Sequence, residues 1–263
     1  MPKATKRERQ RQNREVRREA MLAEEKRRRR FKAARNVGLL FLALAAVLVL
    51  VQLTKGDDDS SSDTSSSAAP TNFTTTCDTA LPATAAKTTL PKPGMGIDPS
   101  KQYTAVLHTT EGDVTIALDS KQAPKTVNSF VYLACKSFYN GTTFHRIVTD
   151  FVDQGGDPKG DGTGGPGYKL PDEPPADGYT AGSVAMANSG PGTSGSQFFL
   201  VVSDNGAAQL NSSGSSPYLY STLGSMDAAG LQVAQTINSF GSNNAAGTPT
   251  KTITINGVTI TAS

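Results

Sequence analysis

The sequence predicts a mainly-β domain, a closed sheet of antiparallel strands with two helices, held behind a polar linker and one apolar span. Three observations carry that prediction. From Tyr103 onward, short runs rich in Val, Ile, Thr and Phe alternate with Gly- and Pro-bearing turns. Two stretches, Pro124 to about Phe138 and Met226 to Phe240, instead repeat apolar residues at helical spacing. Ahead of them, Val37 to Leu53 runs for 17 residues with no charge and a single polar Gln52.

The chain opens on charge. Residues 1–36 hold fifteen Lys and Arg against five Glu, a net of +10; the remainder holds eleven against eighteen Asp and Glu, a net of −7. The overall +3 therefore hides a basic tail on an acidic body. As a helix, residues 37–53 would span about 26 Å at ~1.5 Å per residue, enough for a slightly thinned hydrocarbon core. A soluble core helix would show a polar stripe, and this run has none. An uncleaved anchor fits better than a cleaved signal peptide, because the basic region is long and no small-residue pattern follows Leu53. The positive-inside rule then leaves residues 1–36 in the cytoplasm and puts everything after the anchor outside. The basic tail is accounted for as a topology signal, without a nucleic-acid partner. Residues 54–100 open with Asp57-Asp58-Asp59 and continue in Ser, Thr, Ala and Pro, too few apolar groups to fold alone. As a flexible linker they reach roughly 35–40 Å, with residues from about Leu90 placed to pack on the domain.

Residues 101–263 form the folded domain. Tyr103–Thr109, the turn Glu111-Gly112-Asp113 and Val114–Leu118 make a hairpin, with His108 an ordinary strand residue. Pro124 suits the first turn of a helix, where its missing N–H costs nothing. Val127, Phe130, Val131, Ala134 and Cys135 then give that helix one apolar face. Val233, Ile237 and Phe240 do the same for the second helix, which Gly230 weakens. Between the two, Asn205 to Ser216 is a loop rich in Gly, Ser and Asn. Ile253, Ile255, Val258 and Ile260 alternate and complete the sheet, with Asn256-Gly257 as a bulge.

Two stretches carry the functional content. Phe144 to Asp157 (FHRIVTDFVDQGGD) alone is a half-buried strand with Arg146 toward solvent, ending in a Gly-Gly-Asp turn. Gly182 to Leu200 (GSVAMANSGPGTSGSQFFL) follows a connection, Gly164 to Glu173 (GGPGYKLPDE). Together the two resemble the signature segments of the cyclophilin family of peptidyl-prolyl isomerases. The connection resembles the family's bacterial branch, and the likeness runs in order over roughly residues 101–261. It implies a closed eight-stranded antiparallel barrel capped by two helices. It also implies a cofactor-free, monomeric enzyme for X-Pro bonds, with exported, proline-containing polypeptides as partners on the outer side of the membrane.

The chemistry needs no covalent step. An X-Pro amide turns slowly because resonance must be broken, at a barrier near ~20 kcal/mol. A site must grip the proline ring and bind the twisted amide better than either planar form. A cation can do so by hydrogen-bonding the prolyl nitrogen, whose lone pair is free only when the amide is twisted. By resemblance Arg146 is that catalytic cation, and Phe151 and Phe199 are walls of the proline pocket. Gln154 orients the Arg and touches substrate, Asn188 with Ala187 forms the edge that bonds the peptide backbone, and Gln197 stands at the rim. His145 matches a structural position. Val152 stands where the family often has Met, and Tyr220 where many eukaryotic members have His; no Trp exists for a cyclosporin-binding rim.

Other chemistries find little support. No G-x-x-x-x-G-K-[ST] or G-x-S-x-G occurs, so Ser194 and Ser196 are turn residues rather than nucleophiles. Two cysteines and two histidines offer no metal-ligand cluster. In an exported chain Cys77 and Cys135 admit a disulfide tying the linker to the first helix. They equally admit a buried thiol at Cys135. The rival function is a proline-peptide binding module or holdase with little turnover, against which the intact Arg146 speaks.

Overall fold

The computed structural model describes residues 89–212, 219–244 and 246–263. The tail, the apolar run, most of the linker and Cys77 lie outside the described residues. Among those described, no helix is long and apolar enough to cross a membrane.

Period-two alternation builds the first hairpin. Every second residue of β1 (Tyr103–Thr109) is buried, and in β2 (Gly112–Leu118) the inward set is Val114, Ile116 and Leu118. β9 (Thr254–Ala262) pairs with the other edge of β1, with Gly257 opposite His108 and Ile255 opposite Thr109. Asn256 is therefore the extra residue, and the bulge lies at the predicted Asn-Gly. His108 bonds Asp113 Oδ1 at 2.9 Å and Thr259 Oγ1 at 2.8 Å on its strand face.

Helix α1 (Pro124–Cys135) starts on its proline without a side-chain cap of its own. The cap comes from Glu173, far along the chain, whose carboxylate accepts from Lys125 N at 3.2 Å and Thr126 N at 2.8 Å. An anion suits that end of a helix. The helix stops short of Phe138 because Ser137 takes a left-handed φ of +54°. Its buried face supplies Val127, Phe130, Val131 and Leu133 to the main core. Cys135 is disulfide-bonded, which corrects the buried-thiol alternative. Asn128 holds the incoming chain: its Oδ1 accepts from Gly96 N at 2.7 Å, and its Nδ2 donates to Gly94 O at 2.9 Å. Leu90 packs on the core and Ile97 is buried within it.

The remaining strands are β3 (Thr142–Thr143), β4 (Arg146–Val148), β5 (Val152–Gly155), β6 (Ser183–Met186), β7 (Phe198–Val201) and β8 (Thr222–Met226). Helix α2 spans Asp204–Asn211 and α3 spans Ala228–Asn238. Among the described residues the nine strands form one sheet in the order β3-β9-β1-β2-β8-β6-β7-β5-β4, and each pairing is antiparallel. This corrects the expected closed eight-stranded barrel with two helices to a nine-stranded half-barrel with three. The end strands β3 and β4 are not paired with each other, because Phe144 turns into the core between them and its N–H goes to Ile253 O. Only two residues separate those ends, so they stand at most about 11 Å apart and the sheet must curl back on itself.

Helix α2 stands where the Gly-, Ser- and Asn-rich composition of Asn205 to Ser216 predicts a loop. Ser203 caps it by accepting from Gly206 N at 3.0 Å, and Ala207 and Leu210 turn inward. Ser203-Asp204 is a helix start, which the Asn205-Gly206 pair that follows obscures in the sequence. Helix α3 matches its expected place, with Asp227 as cap bonded from Gly230 N at 2.6 Å.

Candidate active site

β7 reads Phe-Phe-Leu-Val because it is buried on both faces. Phe198 and Leu200 belong to the main core. Phe199 and Val201 belong to a second cluster with Val152, Tyr179, Ala185 and Ala207, against which Phe151, Ala187, Leu210 and Tyr220 pack while remaining partly exposed. Five of the nine expected site residues, Phe151, Val152, Ala187, Phe199 and Tyr220, thus meet in one apolar patch.

Sheet register supplies the polar side. Arg146 is opposite Gln154, Gln154 opposite Phe199, and Phe199 opposite Ala185. Directly opposed residues share a face at a Cβ spacing of roughly 5 Å, so four strands lay a cation, an amide and an aromatic ring in one row. Gln154 Nε2 donates to Gln197 Oε1 at 3.0 Å, and Gln197 Nε2 donates to Gly162 O and Gly164 O, each at 2.9 Å. Gln197 thereby pins the Gly-rich connection to the row. Burial lowers the Arg146 guanidinium from its ordinary value and raises the phenol of Tyr220, and each feels the other's charge. Arg146 still carries its charge at neutral pH. Its stem lies against Gly247, where φ is +63° and a Cβ would stand 2.9 Å from Arg146 Cγ. Only glycine allows that approach.

Phe151 closes the turn between β4 and β5, where Asp150 adopts a φ of +58°. Ser203 Oγ donates to Asp150 O at 3.0 Å and Asn205 Nδ2 to Asp150 Oδ2 at 2.7 Å. Gly206 brings α2 up to the same turn, since a Cβ there would lie 2.5 Å from Phe151 O. On the other side, the rings of Tyr220 and Phe199 stand edge to face, with centroids 5.2 Å apart and planes at 87°. The Tyr179 hydroxyl donates to Tyr220 O at 2.8 Å and accepts from Tyr220 N at 3.0 Å.

Asn188 is not part of the patch. Its Nδ2 donates to Leu219 O at 2.8 Å and its Oδ1 accepts from Gly190 N at 3.2 Å, so it anchors the segment leading to Tyr220. Burial pushes the His145 imidazole below its usual value, with Asp157 and the Thr143 backbone opposing. That suits a neutral, structural residue. Ser196 Oγ donates to Gly156 O at 2.8 Å, as a turn residue does. An open depression of about 310 Å³ between Leu118, Gln122, Pro175 and Gly224 contains none of the site residues. Three residues that position the site escaped the sequence reading: Tyr179, Asn238 and Asp153. Asp153 alone left a signal, a charge at an inward-facing strand position beside Val152.

The profile of the family "Cyclophilin type peptidyl-prolyl cis-trans isomerase/CLD" matches residues 104–260. The chain belongs to this family. Among relatives, the Streptomyces anulatus peptidyl-prolyl cis-trans isomerase B is 50% identical over 121 residues, covering 40% of this chain and 69% of that one. A probable peptidyl-prolyl cis-trans isomerase B of Mycobacterium tuberculosis is 40% identical over 158 residues, covering 54% of this chain and 48% of that protein. The chain thus spans about half the length of these mycobacterial relatives. Among solved structures, a Cryptosporidium parvum cyclophilin-type isomerase aligns with a TM-score of 0.54 at 28% identity, covering 62% of this chain and 99% of that one. The same cyclophilin crystallised in the presence of the dipeptide Ala-Pro aligns at 0.53.

Proposed function

We propose that this chain is a peptidyl-prolyl cis-trans isomerase that turns X-Pro bonds by non-covalent stabilisation of the twisted amide. The observation that carries the reading is the row Arg146–Gln154–Phe199 beside the patch of Phe151, Val152 and Tyr220. The patch takes the proline ring, and the guanidinium donates to the prolyl nitrogen as its lone pair is freed. Gln154, itself held by Gln197, keeps the cation and the peptide in register. The binding is differential, because the nitrogen accepts a hydrogen bond only in the twisted state.

The apolar run and its basic flank support a setting for this activity: a single-pass anchor, N-terminus cytoplasmic, with a monomeric domain acting on exported polypeptides outside the membrane. Protease added to intact cells should then remove the domain and spare the tail. Protection of the domain would defeat that topology.

The site is tested by Arg146→Ala in the full-length protein, in a proline-isomerisation assay with a parallel peptide-binding measurement. Loss of one charge-assisted hydrogen bond worth roughly 3 kcal/mol should cut turnover about 100-fold, with far less effect on binding. Arg146→Lys should not restore it, since an ammonium lacks the planar fork. Near-full activity of folded Arg146→Ala would overturn the assignment, and binding without acceleration by the unmutated protein would favour a peptide-binding module.

A further inference from the structure

We propose that Asp153, buried beneath the β4–β5 hairpin and bonded to Asn238, is a positioning residue whose protonation state sets how that hairpin presents Arg146 and Phe151. The inference rests on the isomerase reading above.

Asp153 is wholly inaccessible in β5, on the face opposite Gln154, with Ile147 and Leu200 as cross-strand neighbours. Its Oδ1 accepts from Asn238 Nδ2 at 2.7 Å, and its Oδ2 has no partner. Among the described residues no cation reaches it. On β4 the charged residue is Arg146, which belongs to the opposite face in the row with Gln154. In the turn it is Asp150, whose carboxylate is taken by Asn205. β7 and α3 carry no charged residue, and Asp227 caps the far end of α3. Burial accordingly pushes the Asp153 carboxyl up to about 8, with the Asn238 bond pulling the other way.

The link to the site is the Asn238 amide. It also donates to Val148 O at 3.0 Å and accepts from Asp150 N at 2.9 Å. One side chain at the end of α3 therefore holds β4, the turn and β5 together, and these carry Arg146, Phe151 and Gln154. While Asp153 is neutral, Oδ1 accepts from Asn238 and one O–H on Oδ2 is left without an acceptor, a smaller penalty than an unpaired buried charge. Once ionised, a carboxylate with a single donor in apolar surroundings must gain donors. It can draw Asn238 away from Val148 or admit water, and either displaces the hairpin. A misplacement of about 1 Å at a catalytic group can cost up to about 100-fold in rate.

The test uses the full-length protein and a proline peptide without titrating side chains, followed from about pH 6.5 to about 9.5. The expected result is a fall of about tenfold in kcat/KM with a midpoint of about 8, carried mainly by kcat as Arg146 is displaced and accompanied by a smaller rise in KM as Phe151 moves with the same hairpin. Asp153→Asn keeps the shape and cannot ionise, so it should hold its neutral-pH rate across the range. The backbone amide of Asp150, followed by NMR, should shift with the same midpoint in the unmutated protein. That titration stands even if the variant does not fold. A flat profile, the same fall in Asp153→Asn, or an Asp150 amide that does not move would overturn the proposal and leave the isomerase reading intact. Absence of acceleration at every pH would instead sink the isomerase reading, and the amide titration would then decide alone whether Asp153 moves the hairpin.

Discussion

Phe198 and Phe199 are neighbours in sequence, both almost inaccessible, yet they serve different clusters. Phe198 packs among Phe130, Tyr139 and Phe144 with centroids 5.9, 5.8 and 6.3 Å away, in the core filled by α1 and α3. Phe199 meets Tyr220, its one ring contact among the described residues, in a patch backed by Tyr179 and α2, where Phe151 and Tyr220 stay partly open. Low exposure therefore means two things in one strand. On one face it is packing that the fold needs; on the other it is a surface kept apolar and shallow, beside a cation. The neighbourhood separates them, and each expected outcome below bears on that separation.

The largest effect concerns the buried carboxyl of Asp153. Asp153 keeps its proton in the folded state up to about 8, whereas an unfolded Asp releases it near ~3.9. A raised folded value favours the native state fully below ~4, and that advantage is lost as pH climbs toward about 8. At ~1.4 kcal/mol per unit the loss is on the order of 5 kcal/mol. Urea unfolding of the unmutated protein and Asp153→Asn, at acid and at alkaline pH, should show it: only the unmutated protein should carry the decline. Parallel pH dependences would show that Asp153 is not the group responsible.

The paired aromatics come next. Phe198→Ala should destabilise by about 3–5 kcal/mol, read as a drop in the urea midpoint. Phe199→Ala should cost less stability, because its cluster can collapse toward solvent, but should weaken peptide binding as well as turnover. Equal losses of stability, with binding untouched in Phe199→Ala, would erase the distinction between the two faces.

The smallest effect falls on the clamp at the edge of the patch. Tyr179→Phe removes a hydroxyl that serves both the N–H and the C=O of Tyr220. About 1–3 kcal/mol should follow from the two groups left without it, together with a weaker grip on peptide as Tyr220 loosens. Unchanged binding would mean that Tyr220 is held by Phe199 and Asn188 without the hydroxyl.

Much of this was legible in the chain because it is local. The first hairpin needs only alternation and a turn, and α1 needs only Pro124 and an apolar period of 3.6. The Asn256 bulge followed from an Asn-Gly pair within an alternating run. Phe151, Val152 and Phe199, which meet in the patch, stand in the two signature stretches, and register shows why Arg146, Gln154 and Phe199 share a face. What tertiary structure alone decided depends on partners distant in sequence. Glu173 caps a helix 47 residues before it, Tyr179 grips Tyr220 across 41, and Asn238 reaches Asp150 across 88. The loop that became α2 folds because a turn more than fifty residues away accepts Ser203 and leaves room for Gly206 and no larger residue. A chain states its periodicities and its turn residues by itself. It cannot state which far segment will meet a given carboxyl or hydroxyl, since that is settled only when the sheet has curled and its faces have found what covers them.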